Sequence, residues 1–278
     1  MTDEARDEGE GARAGRPGHA VASADAGVRI VALHGFLGSG SDWEELAGAF
    51  PGVSLIALDL WAALARCEAL EWTAVADAVD QALSEALSGE DGRPAFVVAY
   101  SFGARLALGS RLLSSAASPV RGCAFVSCNP GIAEDDRTAR EARRASDEAW
   151  GQRILADREQ VLWDEWDAQP VFAGSVRPPR RRGLPASRQA LAHALRACSL
   201  GVQPDFRPRL AAWPTPILWM TGARDAKFAA IARELQSGAV AADFETCEDA
   251  GHRVPWDNPP AFARIVRAWT ARVLEKQR

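Results

Sequence analysis

Four short stretches carry side chains that together could activate a hydroxyl. The first is Ala99-Tyr100-Ser101-Phe102-Gly103. A serine hydroxyl is far too weak an acid to ionise near neutral pH, so it needs a base within reach. His252, in Ala250-Gly251-His252, can be that base, because imidazole titrates near neutrality. Asp225 ends the stretch Thr221-Gly222-Ala223-Arg224-Asp225. Its carboxylate can accept the other imidazole N–H, fixing the tautomer and stabilising the imidazolium. The fourth stretch is Leu33-His34-Gly35-Phe36-Leu37-Gly38. Its glycines let the backbone approach closely, so that an N–H can face a developing negative oxygen. The N–H of Phe36 and that of Phe102, after the serine, would form the oxyanion hole. His34 reads as a loop-holding histidine. Taken singly, each stretch has a plainer reading. A serine or aspartate after a strand often caps a helix, and a histidine near the chain end is often solvated. Together, in the order Ser, Asp, His, they predict a catalytic set.

These residues need elements that bring them to one edge. Short apolar runs at 28–33, 53–58, 96–100, 122–127, 216–221 and 240–247 read as strands buried on both faces. Helical patterns lie between them, at 72–88, 102–115 and 260–274. Alternation of strand and helix predicts an α/β fold with a mostly parallel sheet flanked by helices. Each of the four stretches follows one of these strands, and catalytic groups gather at the carboxyl ends of strands in such sheets. Ser101 sits between strand and helix, as a nucleophile elbow requires. Residues 130–213 break the alternation. They read as helices at 136–156, 159–166 and 187–199 with a Pro/Arg-rich loop at 176–185. An all-helical insertion there predicts a cap over the active edge. The core is then 28–129 with 214–278, and residues 1–27, poor in apolar side chains, predict a disordered tail.

Composition narrows the class. Apolar residues are 47 % of 278, enough for a sizeable core, with no run long enough for a membrane span. A net charge of −5 offers no basic field for nucleic acid. The five cysteines, Cys67, Cys123, Cys128, Cys198 and Cys247, are odd in number and show no CxxC spacing. They suggest neither a disulfide framework nor a zinc site, and imply a cytoplasmic protein. Cys123 reads as a core residue. There are only two lysines, Lys227 and Lys276, which fits a codon bias toward arginine.

Several stretches resemble one family, the MenH-type 2-succinyl-6-hydroxy-2,4-cyclohexadiene-1-carboxylate (SHCHC) synthases of menaquinone biosynthesis. Leu33 to Trp43 resembles the family's opening loop, and Tyr100-Ser101-Phe102-Gly103-Ala104-Arg105 its elbow. Asn129-Pro130-Gly131-Ile132, followed by Arg140, Arg143, Arg144 and Asp147, resembles its approach to the cap. Trp166 with Gln169-Pro170-Val171-Phe172-Ala173 resembles its cap motif. Ser199 to Pro204 and Gly222 to Phe228 are the most diagnostic matches. The chain differs in two places. Ala99 stands where glycine is usual, and Asp59-Leu60 leads straight into Trp61 where the family has a Pro-Gly-His-Gly type loop.

The resemblance implies a lyase that eliminates pyruvate from a 5-enolpyruvyl cyclohexene tricarboxylate, with no metal or cofactor. The Ser101–His252–Asp225 set would act as a base beside the succinyl ketone. Arginine suits carboxylates because its planar fork binds them bidentately. Arg105, one turn from Ser101, and Arg143 would bind the substrate, with Tyr100, Trp166 and Phe172. A third, mid-cap arginine would be Arg181, Arg182 or Arg188, with Arg182 the choice. No nucleic-acid or membrane partner is implied, and a monomer or weak homo-oligomer is expected. Two other readings use the same residues: an esterase or carbon–carbon hydrolase working through an acyl-serine, and a non-catalytic hydrolase-like binding protein.

Overall fold

The computed structural model describes residues 18–21, 27–67, 71–88, 92–176 and 183–278. Six strands run parallel: β2 (Val28–Leu33), β3 (Val53–Leu58), β4 (Ala95–Tyr100), β5 (Gly122–Val126), β6 (Ile217–Gly222) and β7 (Asp243–Cys247). A seventh, β1 (Gly18–Val21), pairs antiparallel with β3, and the order across the sheet is β1-β3-β2-β4-β5-β6-β7. The expected tail is therefore corrected at 18–21. Four extended residues satisfy the otherwise open backbone edge of β3, a gain that local composition does not reveal. Residues 1–17 and 22–26 lie outside the described residues.

The central strands are buried throughout, as their continuous apolar runs require. Alternate residues feed two cores. Val31, Val97, Phe125 and Trp219 face one, and Ile30, Phe96, Ala124 and Leu218 the other. The flanking helices of the parallel core are α1 (Ser41–Glu44), α2 (Leu60–Leu64), α3 (Trp72–Leu87) and α4 (Phe102–Gly109). After β5 the chain leaves the sheet for α5 (Arg137–Ala156), α6 (Glu159–Asp167), α7 (Arg188–Ala197) and α8 (Arg207–Ala211) before returning as β6. It ends with α9 (Ala226–Ser237), α10 (Val254–Asp257) and α11 (Pro259–Lys276). Asp136 and Ser187 are N-caps, accepting hydrogen bonds from the backbone N–H groups of Ala139 and Ala190. The helices they cap begin one residue later than the sequence pattern suggests.

The helix after Ser101 is shorter than its pattern. Ser110 turns to extended backbone. The Asp80 carboxylate there accepts from the Ser110 hydroxyl and from the N–H groups of Arg111 and Leu112, which fixes the chain in turns. Among the described residues no helix is long and apolar enough to cross a membrane.

Candidate active site

β4 delivers Ser101 into a forbidding backbone conformation, φ 50° and ψ −106°. A non-glycine residue holds such angles only where its surroundings over-determine them. Here the Ser101 N–H donates to the Val126 carbonyl at 2.9 Å, and the Gly103 N–H to the His34 carbonyl at 3.1 Å. A Cβ on Gly103 would lie 2.5 Å from that same carbonyl oxygen, so only glycine lets α4 approach the loop after β2 this closely. Ala99 is fully buried in β4 and fits in the family's glycine position. Ser101 occupies the N-cap position of α4 but makes no capping hydrogen bond. Its Oγ lies 3.1 Å from His252 Nε2 instead.

His252 Nδ1 lies 2.8 Å from Asp225 Oδ2. The other oxygen of Asp225 accepts the N–H of Phe228 at 3.2 Å, capping α9. Helix cap and imidazole partner are thus one carboxylate. Gly222 makes the approach possible, because a Cβ there would sit 2.1 Å from the Gly251 carbonyl oxygen. The carbonyl of His252 is held by the hydroxyl of Ser127 at 2.8 Å. Burial lowers the His252 pKa from its ordinary 6.5, the Asp225 carboxylate opposes the fall, and Arg253 and Lys227 add to it. The ring is therefore neutral at neutral pH, as a base must be. Phe228 packs 4.5 Å from it, Phe172 5.6 Å and Tyr100 5.7 Å, centroid to centroid.

His34 is fully buried. Its Nε2 accepts the Leu60 N–H at 3.1 Å, so its proton is on Nδ1, which donates to the Gly35 carbonyl at 2.9 Å. Desolvation takes its pKa down to about 4. It locks the loop after β2 to the start of α2. Asp59 caps α2, and the Trp61 indole donates to the Gly38 carbonyl at 2.7 Å. Trp61 stacks on Phe102 at 6.0 Å and meets Phe36 edge-on at 5.6 Å. The departure at 59–61 thus fills the space behind the two phenylalanines with an aromatic wall.

A cavity of about 600 Å³ opens above Ser101 and His252. Phe36, Phe102, Arg105, Arg143, Trp166 and Phe172 line it, bringing six of the expected residues together. Trp166 packs against Phe36 at 5.3 Å and Trp150 at 4.9 Å, joining the insertion to the loop after β2. Tyr100 is set behind this cavity, on an adjoining cleft that shares Phe36, Trp166 and Phe172 with it. It follows Ala99 in β4, so its ring points to the opposite core, against Trp256 at 4.9 Å. It lines a smaller cleft with Gly35 and Arg253. Arg181 and Arg182 lie outside the described residues. Arg188 donates to the Ile154 carbonyl at the end of α5.

Arg105 is buried, and its partners are neutral. Nε donates to Gln203 Oε1 at 2.7 Å and Nη2 to the Cys198 carbonyl. Desolvation and the nearby charge of Arg143 bring its pKa down to about 10, which leaves it a cation at neutral pH. Arg143 pairs through Nε with the buried Asp147 at 2.8 Å. Arg140 and Arg144, on a different face of α5, bond the carbonyls of Ile132 and Gly201. Lys227 also lines the cavity, a residue that sequence reasoning passed over. Burial and Arg143 push its pKa down, and Asp225 opposes them. Its place in the first turn after Asp225 was the available signal.

The comparisons with known proteins agree with this geometry. Residues 30–265 match the model of the Alpha/beta hydrolase family. A 2-succinyl-6-hydroxy-2,4-cyclohexadiene-1-carboxylate synthase of Klebsiella pneumoniae subsp. pneumoniae is 34 % identical over 239 residues, 84 % of this chain and 89 % of that protein. The protein of the same name from Escherichia coli K12 is 33 % identical over 247 residues, 86 % of this chain and 93 % of its own. Among solved structures, MenH from S. aureus superposes with a TM-score of 0.77 at 20 % identity, covering 92 % of this chain and 98 % of that one. An esterase from Thermogutta terrifontis gives 0.65 at 18 %, covering 89 % and 91 %. At such identities the two superpositions speak for the fold alone. The sequence relatives say more, and on them the chain belongs to the 2-succinyl-6-hydroxy-2,4-cyclohexadiene-1-carboxylate synthase family, built on the α/β-hydrolase fold.

Proposed function

We propose that this chain is an SHCHC synthase of menaquinone biosynthesis, a carbon–oxygen lyase that eliminates pyruvate from 2-succinyl-5-enolpyruvyl-6-hydroxy-3-cyclohexene-1-carboxylate. The observation that carries the reading is Arg105. A buried guanidinium one turn from Ser101, with neutral partners, costs desolvation energy that an incoming carboxylate would offset. A substrate with three carboxylates meets a cavity lined by four cationic side chains, Arg105, Arg143, Arg224 and Lys227, of which Arg224 is the exposed one, paired with Asp249. In this reading Lys227 takes the part expected of a mid-cap arginine. Trp166 and Phe172 cover the ring of the substrate from the insertion, which serves as a cap.

The chemistry follows from the polar groups below. His252 takes the hydroxyl proton of Ser101, and the serine oxygen removes a proton beside the succinyl ketone. The electron pair moves onto the ketone oxygen, which rests against the N–H groups of Phe36 and Phe102. Each such donor is worth about 3–4 kcal/mol in a dry site. As the enolate collapses, the ring C–O bond to the enolpyruvyl group breaks. The departing enolate recovers a proton and leaves as pyruvate. Asp225 keeps the imidazole in the tautomer that can accept at Nε2. A cytoplasmic location and a monomeric or weakly associating state belong to the same reading.

The test supplies the enolpyruvyl compound to the purified protein and follows pyruvate, beside hydrolysis of a neutral aryl ester. Pyruvate release with the higher kcat/KM supports the synthase. Faster ester turnover assigns the same three residues to an acyl-serine hydrolase.

A further inference from the structure

Residues 199–203, between α7 and α8, form a tight turn. The Val202 and Gln203 N–H groups both donate to the Ser199 carbonyl, at 2.9 Å and 2.8 Å, and the Ser199 hydroxyl accepts the Gly201 N–H at 3.0 Å. Helix α5 packs against the turn. A Cβ on Gly201 would lie 2.3 Å from the Arg140 carbonyl oxygen, and Arg144 donates to the Gly201 carbonyl at 2.8 Å. The place of Gln203, which is fully buried, is thereby set. Its amide oxygen accepts from Arg105 Nε at 2.7 Å. That donor dictates the orientation of the amide, because a second N–H cannot face it. Gln203 Nε2 is turned the other way, where it is buried and meets no acceptor among the described residues.

A buried donor without a partner costs stability, and so does a buried cation without an anion. A glutamate at this position has nearly the same shape and would remove both local costs. The cavity contains that contrasting arrangement, since Arg143 pairs with the carboxylate of Asp147. Arg105 has neutral partners only: Gln203, the Cys198 carbonyl at the end of α7, and the Phe102 ring with its centroid 5.8 Å away. Its Nη1 makes no hydrogen bond among the described residues, and its side chain lines the cavity. We propose that Gln203 is a positioning residue for Arg105: its amide oxygen fixes the guanidinium at the cavity wall while leaving the positive charge uncompensated, so that a substrate carboxylate is the first anion to pair with it. An acid in its place would hold the guanidinium before substrate arrives, and an incoming carboxylate would meet an ion pair of little net charge. The proposal rests on the reading of this cavity as a carboxylate site.

Two variants separate charge from scaffolding. Gln203→Glu keeps the hydrogen bond to Arg105 and cancels its charge. Gln203→Met loses the bond and leaves the charge. A merely structural role makes Gln203→Met the more harmful, whereas the proposal makes Gln203→Glu so. Carboxylate binding is read without the natural reaction, as protection of Ser101 from a fluorophosphonate by benzene-1,2,4-tricarboxylate. Each variant's unprotected labelling rate serves as its own reference, and thermal melts establish folding. KM for pyruvate release from the enolpyruvyl compound is measured beside it. The proposal expects the half-protecting concentration and KM to rise at least about tenfold in Gln203→Glu, the scale of one charge-assisted contact. In Gln203→Met, where the guanidinium is freed but still charged, they should rise about threefold. A folded Gln203→Glu protein that binds the tricarboxylate as tightly as the unaltered one overturns the proposal, and so does a loss in Gln203→Met that reaches tenfold. Protection in the expected order by a protein that releases no pyruvate supports the proposal and overturns the synthase reading alone. Neither protection nor pyruvate release in the unaltered protein overturns both.

Discussion

The floor and the roof of the cavity are built on different principles. The floor comes from four strand ends of one sheet. It is fixed chiefly through main-chain groups: the Ser101 N–H donates to the Val126 carbonyl, the Gly103 N–H to the His34 carbonyl, and the Ser127 hydroxyl to the His252 carbonyl. Each contact follows from strands in parallel register and glycines that allow close approach. The roof comes from helices outside the sheet, and is held by charged side chains far apart in sequence, such as Arg253 with Asp167 and Arg144 with the Gly201 carbonyl. A floor of this kind is suited to an unvarying proton transfer. A roof of this kind is suited to recognising a particular charge pattern and to moving. Variants that stop chemistry should therefore fall among Ser101, His252 and Asp225 at the strand ends, and variants that change substrate use among the cationic and insertion side chains that line the cavity around them.

The largest effects are expected from the floor. Ser101→Ala, His252→Ala and Asp225→Asn should each slow pyruvate release at least about a thousandfold, the scale of other catalytic triads. Gly103→Ala comes next. Its Cβ would press on the His34 carbonyl, so a melting experiment should show a loss of about 1–3 kcal/mol, and kcat should fall as the elbow shifts. A pH profile separates the floor's own groups. Burial depresses the His252 pKa, so the neutral base persists at neutral pH and is lost as pH falls. The acid limb of kcat/KM should therefore have its midpoint below 6.5. Residual activity of Asp225→Asn should show a still lower midpoint, because the carboxylate that raises the pKa is gone. The smallest effect is expected from a cation at the rim of the floor, in the first turn of α9. Lys227→Gln should raise KM for the tricarboxylate about three- to tenfold, a modest figure for a partly screened cation, with kcat nearly unchanged.

The same contrast explains what could be read in advance. Ser101, Asp225 and His252 each follow a strand pattern, so local spacing points to these three, and resemblance adds Arg105 one helical turn after Ser101. Alternation gave the parallel sheet. Strand β1 escaped because four extended residues become a strand only beside β3. The apolar run predicts a final strand over 240–247, but β7 starts at Asp243, since Ala239 takes a left-handed conformation and the Val240 N–H turns back to the Leu235 carbonyl. Resemblance predicts Tyr100 beside the substrate; strand alternation packs its ring into the other core, 5.7 Å from His252 and on a cleft adjoining the cavity. Asp257 and Arg253 meet partners some eighty residues away, and no local pattern announces such a pair. Ser127 escapes for the same reason, since its meaning comes from the His252 carbonyl that the fold sets beside it.

The claim that proton transfer and carboxylate recognition are carried by separate groups of one cavity rests most directly on Arg105. The decisive measurement is a pair of rates on a folded Arg105→Met protein: pyruvate release from the enolpyruvyl compound, and fluorophosphonate labelling of Ser101. Loss of a buried charge-assisted contact predicts a fall of about ten- to a hundredfold in kcat/KM for pyruvate release, while labelling stays within about threefold of the unaltered protein. Equal falls in both rates, or no fall in pyruvate release, would contradict the account.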